Sequence, residues 1–255
     1  MSLVVQTNNA AITALKHLNT NSLEMNKSLE KLSSGYRINN AADDAAGYAI
    51  ATKLEGQGAR LKAASLNASQ ATAMVKMADA AINEIQNMVV RIQTLATQAA
   101  SGQNSAEVSK LEAERTALTA QIDQIAKGTN YNGTALLDGT LNKSFIVGDS
   151  NVASQSTVSV AMTQSFTSSG LGLSGTGVAG FTATGTGTAA VSASANAKTY
   201  IGLAKTALDT IAAKRADFGA IQNRLGYVNA NLATQIEQNA AAVSTIKDAD
   251  MASEM

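Results

Sequence analysis

Cysteine, proline and tryptophan are all absent from the 255 residues. Without cysteine the chain can form neither disulfides nor thiolate metal sites. Without proline it avoids the cost of about 3 kcal/mol that an interior proline imposes on a helix, so long uninterrupted rods are open to it. Aromatic residues are scarce at 4% and charged residues at 15%, against roughly 25% charged in ordinary soluble proteins. Alanine, serine, threonine and amide side chains fill the difference. A hydrophobic fraction of 45% still allows a core, but a thin one built from small side chains.

Charge of one sign is missing too. The formal net charge is zero and the basic residues are scattered, so there is no electrostatic footprint for nucleic acid or for an anionic membrane surface. No run of about 18 apolar residues is long enough to span a bilayer, and the first seven residues lack the basic-then-apolar layout of a cleaved secretory signal. His17 is the only histidine, which excludes paired-histidine zinc sites and Ser-His-Asp triads assembled within one chain. Asp43 and Asp44 are adjacent carboxylates with no third ligand nearby in sequence, a pattern that suits a turn or a helix start better than a metal. No cofactor, no metal and no enzymatic activity are expected.

What is present is periodicity. Leu15, Leu18, Ser22, Met25, Leu29, Leu32 and Tyr36 alternate steps of three and four, the seam of a coiled-coil helix that Ser33, Ser34 and Gly35 would stop. After a polar turn region around Asn39 to Gly47 and a short helical stretch, the pattern returns. Leu61, Ala64, Ala68, Ala71, Val75, Ala78, Ile82, Ile85, Val89, Ile92, Ala96 and Ala99 continue it. Residues 57–100 would make a rod of roughly 65 Å at 1.5 Å per residue. Met74, Ala81, Met88 and Leu95 recur beside that seam every seventh residue, widening the apolar face enough for two partner helices.

Ser101 to Ser105 break the rod, and Val108, Leu111, Arg115, Leu118, Ile122 and Ile125 resume it for a shorter antiparallel return. From Thr129 turn formers and short strands take over, with Phe145, Ile146 and Val147 reading as a strand. Residues 163–196, rich in Gly, Ser, Thr and Ala with Gly-Thr repeats at Gly175, Gly177, Gly185 and Gly187, read as an exposed insert that buries little. From Lys198 a second rod begins, marked by Ile201, Ala204, Leu208, Ile211, Arg215, Phe218, Leu225, Leu232, Ile236, Val243 and Ile246. The expected fold is mainly α: a long antiparallel helical bundle or coiled-coil rod formed by the N- and C-terminal segments, with a small β-containing central insert. An alanine seam buries little area per residue, so such rods call for neighbours and for completion by self-association.

Several strings are more specific than periodicity. Gln6 to Ala11, Leu29 to Asn39 (LEKLSSGYRIN) and Asn40 to Ile50 (NAADDAAGYAI), together with Gly219 to Leu225 (GAIQNRL) and Asp248 to Met255 (DADMASEM), resemble bacterial flagellin over roughly residues 1–140 and 198–255. The resemblance implies a structural subunit that self-assembles into the flagellar filament for motility. It implies a division into residues 1–45, an N-terminal inner-tube helix and connecting turn, and 46–140, the N-terminal part of a helical rod. It further implies 141–197 as a surface insert, 198–240 as the C-terminal part of the rod, and 241–255 as the start of a C-terminal inner-tube segment whose last helix the chain lacks.

The partners it implies are the chain itself as a helical homopolymer, the flagellar type III export apparatus and flagellin chaperone, the filament cap and hook-junction proteins, and a host Toll-like receptor. The implied destination is the extracellular flagellum, reached without a cleaved signal. Self-assembly candidates are Leu15, Leu18, Met25, Leu29, Leu32, Ile236, Val243 and Ile246. By the same matching strings Arg91, Leu95 and Glu114 are receptor-contact candidates, Arg91 and Leu95 sharing a helix face as a charged fork beside an apolar knob. An exposed Arg beside a half-buried packing Leu is the simpler account of that pair. Arg115, lying in an apolar seam, either meets a carboxylate from the C-terminal rod or snorkels at the seam's edge. A hook-filament junction protein and a secreted coiled-coil adaptor are the alternatives, the first departing from these strings and the second explaining heptads alone.

Overall fold

The computed structural model describes residues 8–101, 107–149, 156–174, 180–181 and 189–254. The Gly-Thr repeats, residues 102–105 of the first rod break, and the first seven residues lie outside them. In chain order the elements are α1 (Asn9–Ser34), α2 (Ala45–Ala100), α3 (Val108–Gly128), β1 (Asn130–Tyr131), β2 (Thr134–Ala135), β3 (Leu141–Ile146), β4 (Thr157–Met162), α4 (Ala189–Lys247) and α5 (Met251–Glu254). The fold is mainly α, with long helices and two small antiparallel sheets.

Two compact units divide the chain: Met1–Ala63 with Leu232–Met255, and Ala64–Asn231. We call them the terminal unit and the central unit. The division falls inside both α2 and α4.

In the central unit the seam residues of α2 face inward without exception, from Ala64 through Ala99. Helix α4 runs antiparallel beside it, since Ser194 Oγ donates to Ala100 O, Arg215 reaches Asp79, and Leu225 packs in one cluster with Ala68 and Ala71. The second apolar row of α2, Met74 and Leu95 buried and Ala81 and Met88 half-buried, accommodates further neighbours, α3 among them through Ile122 and Ala126. Helix α3 ends at Gly128, and the chain then turns through a two-residue hairpin. Asn132 and Gly133, with φ of 49° and 75°, join β1 to β2, the paired left-handed conformation that Asn-Gly favours.

Strands β3 and β4 pair from Leu141↔Met162 to Ile146↔Thr157. Val158, Val160 and Met162 point inward and Ser159 and Ala161 outward, the period-two pattern of a strand with one covered face.

Two readings of this region need correction. The insert does not bury little: Phe166, Leu171, Leu173 and Phe181 all enter the main core. Sparse apolar residues in a small-residue background act here as single anchors, which no periodicity reveals. Helix α4 also starts at Ala189, nine residues before Lys198 and inside the span read as insert, because alanine, the strongest helix former, dominates residues 189–197 even where the seam is blank. Likewise α2 starts at Ala45 and passes through Gly47, Gly56 and Gly58 without a break.

In the terminal unit Asn8 caps α1 by accepting from Ala11 N, and Gly35 ends it in the left-handed conformation (φ 73°), its N–H on Lys31 O. The turn to α2 is built by the two aspartates. Asp43 accepts from Asn39 N and Asn40 N, and Asp44 caps α2 by accepting from Ala46 N and Gly47 N. Those two donors hold the exposed Asp43 carboxyl below its ordinary range. Behind this turn Ile38 is buried, and a side-chain carbon at Gly47 would sit 2.7 Å from Ile38 Cδ1.

Candidate functional surface

Helix α1 has no buried residue. Leu15 (60%), Leu18 (66%), Met25 (61%) and Leu29 (56%) stand open, with Ile12 and Leu23 beside them; only Leu32, nearest the connecting turn, is half-covered. This 26-residue helix with its apolar row facing water lacks the tertiary packing from which helices in proteins draw most of their stability. Covering each such side chain would contribute about 1.5–3 kcal/mol. The other assembly candidates differ: Ile236, Val243 and Ile246, on the last turns of α4, are half-buried. Tyr36 closes no seam, because α1 ends before it.

The residues after α1 form a second feature. Tyr36 bridges Asp248, Arg37 N donates to Lys247 O at 2.7 Å, Arg37 Nη2 donates to Ile246 O at 2.8 Å, and Ala249 N donates to Gly35 O at 3.0 Å. Lys247 Nζ sits 4.8 Å from the centre of the Tyr36 ring and 2.8 Å from Glu55 Oε1, which raises its pKa.

On the central unit Arg91 and Glu114 come together at 2.7 Å, one from α2 and one from α3, both about half-exposed. Leu95 does not join them at the surface. It is fully buried among the core residues, because the row through Met74, Ala81 and Met88 faces inward. The apolar knob beside a charged fork is therefore replaced by an ion pair with a core leucine beneath it.

Arg115 neither snorkels nor meets a carboxylate of the C-terminal rod. Its guanidinium pairs with Glu112 one turn back on its own helix, and α4 supplies Tyr200, whose hydroxyl accepts from Arg115 Nη1 at 2.8 Å and donates to Leu173 O at 2.6 Å. Glu112 also accepts from Phe181 N at 2.8 Å, and the Phe181 and Tyr200 rings meet edge to face at 5.3 Å. Burial raises the pKa of Glu112, but its bonds from Arg115 and Phe181 outweigh that and leave it lowered; burial pushes the Tyr200 hydroxyl up. This cluster pins the insert to the helices, as does Asp123, which accepts from Ser168 N and Ser168 Oγ.

Sequence reasoning passed over Glu112, Tyr200, Asp123 and the Arg37 contacts, since none disturbs a period. It placed Arg215 in the seam without seeing that Asp79, Asn83 and Gln86 of α2, spaced four and three apart on one face, all accept from it.

Among the described residues no helix is long and apolar enough to cross a membrane, and no three His, Asp or Glu side chains gather as a metal would require.

Comparison with known proteins gives one consistent picture. Residues 5–142 match the bacterial flagellin N-terminal helical region and residues 201–255 the bacterial flagellin C-terminal helical region. Similar proteins include flagellin of Bacillus subtilis (strain 168), 32% identical over 97% of this chain and 88% of its own length. The flagellar filament 33 kDa core protein of Treponema phagedenis is 32% identical over 99% of this chain and 89% of its own. A crystal structure of Bacillus cereus flagellin superposes with a TM-score of 0.52 at 29% identity, covering 66% of this chain and 88% of that one.

Proposed function

The chain belongs to the bacterial flagellin family and is a subunit of the flagellar filament, and from that premise we propose that α1 is its principal polymerising element. The observation that carries this is the open row of Leu15, Leu18, Met25 and Leu29 on a helix with no buried residue. Leu32, Ile236, Val243 and Ile246, half-covered in the single chain, complete the contact when neighbouring subunits arrive. In this reading residues 1–45 and 241–255 line the inner tube, 46–140 and 198–240 form the surrounding rod, and 141–197 carry the outward insert. The role is structural and extracellular, with no reaction catalysed.

The subunit leaves the cell through the flagellar type III apparatus with a flagellin chaperone, and at the filament it meets the cap and hook-junction proteins. The support is family membership. Electron microscopy tests the assembly reading: sheared flagellar filaments are incubated with the chain. Growth of the seeds supports it; a chain that stays monomeric overturns it.

The exposed Arg91–Glu114 pair, with Leu95 holding the backbone beneath, is the surface that a host Toll-like receptor would read. Arg91→Ala with Glu114→Ala is expected to weaken signalling in receptor-expressing cells at unchanged folding. Full signalling by that variant would remove the assignment.

A further inference from the structure

No residue of α1 is buried; it meets α5, and Glu30 in its later turns accepts from Asn40 Nδ2. Beyond it comes the tripeptide Gly35-Tyr36-Arg37, which terminates two helices at once. Gly35 closes α1 from within, in the left-handed conformation. Arg37 closes α4 from outside.

Helix α4 needs that outside help. It ends in Lys247-Asp248-Ala249, with no glycine to fold the chain back over its last carbonyls. Asp248 N covers Ser244 O, while Ile246 O and Lys247 O are covered by the guanidinium and the backbone N–H of Arg37. A cation at the negative end of a helix dipole is also favourably placed. Three further contacts bind the same point. Ala249 N bonds to Gly35 O, Lys247 Nζ stands over the Tyr36 ring while paired with Glu55 of α2, and Ile38, the next residue, is buried against Gly47. The last turn of α1 is tied in by Asn39 Nδ2 on Ser34 Oγ at 2.8 Å.

We propose that Arg37 is the positioning residue of the polymerising helix: by capping α4 it sets the direction of α1 before any neighbouring subunit arrives. This rests on the assembly reading above. The hydrogen bonds of Arg37 go to Lys247 and Ile246 at the end of α4, so its effect on assembly is exerted through the placement of α1.

The test exploits a chain with no cysteine of its own. Spin labels on Asn19→Cys in α1 and Gln238→Cys in α4, both exposed positions of the terminal unit, report the distance distribution between the two helices. The native chain should give one narrow distribution and Arg37→Ala one about twofold broader, with the main thermal transition unmoved. Both variants keep the backbone bond to Lys247 O and lose the guanidinium on Ile246 O; Arg37→Lys, which retains an ammonium, should fall between. Elongation of sheared filaments should slow about tenfold in Arg37→Ala. A distribution in Arg37→Ala as narrow as the native one, or native-rate elongation by a broadened variant, would overturn the proposal. Failure of the native chain to elongate any seed would sink the assembly reading instead, and the distances would still decide whether Arg37 orients α1.

Discussion

The central and terminal units are built from the same two long helices and the same alanine-rich vocabulary, yet they have opposite relations to water. In the central unit α2 and α4 close over a core that also takes in α3, the β3–β4 hairpin and the anchors of the insert. In the terminal unit the buried apolar side chains among the described residues are Ile38, Ala51, Leu61 and Leu232, while α1 leaves its largest ones in solvent. One unit is finished as a single chain. The other leaves its apolar row open, which is the ground for the proposal that neighbouring subunits cover it.

That contrast can be tested by substitution, with the largest effect expected in the central core. Ile85→Ala removes a fully buried side chain from the α2 seam and should cost about 2–5 kcal/mol in denaturant unfolding. A loss below about 1 kcal/mol would mean that this core is looser than its burial suggests.

Next comes Glu112. Its carboxyl is held below the ordinary range, so it binds its proton more weakly folded than unfolded. The stability it contributes is therefore complete above the ordinary carboxylate range and is lost as pH falls through its lowered folded value. Glu112→Gln should cost about 1–3 kcal/mol at neutral pH by leaving Arg115 and Phe181 N poorly matched, and should flatten the acid limb of stability against pH. An acid limb identical to that of the native chain would dismiss the cluster as an acid-sensitive fastening.

A smaller effect is expected at Arg91 and Glu114, both about half-exposed. Their coupling in a double-mutant cycle should be under about 1 kcal/mol. The smallest of all belongs to α1. Leu15→Ser, Leu18→Ser and Met25→Ser together should move the monomer's unfolding midpoint by no more than about 0.5 kcal/mol equivalent while abolishing seed elongation. A large loss of monomer stability would show that the row is already covered in the free chain, and the contrast between the units would collapse.

Periodicity made the helical half of this legible. The seam written from Leu61 to Ala99 is the seam that is buried, since a spacing of three and four leaves a helix only one face to hide. The α1 row was equally plain, and its exposure is consistent with a seam made for a partner outside the chain. Periodicity cannot register a residue that acts alone. Phe166, Leu173 and Phe181 each hold one turn of irregular chain against the helices, and Glu112 and Tyr200 hold it by hydrogen bonds. Leu95 was misplaced for a related reason: a shared helix face told which residues neighbour Arg91, but not on which side of that boundary the solvent lies.

Arg215 and the Asp79 it grips are 136 residues apart, which constrains when folding can happen as well as what is folded. A chain emerging from its N-terminus produces the whole of α2 long before the first turn of α4 exists. Throughout that interval the α2 seam has only α3 and the β3–β4 hairpin to lie against. Contacts of such long range form slowly and late, and at about 5–20 residues per second the wait lasts for seconds. The alanine content that thins the core is useful here, because an unpaired row of small side chains offers less surface for misassociation than one of leucines. The bundle of the central unit cannot close until α4 has been made.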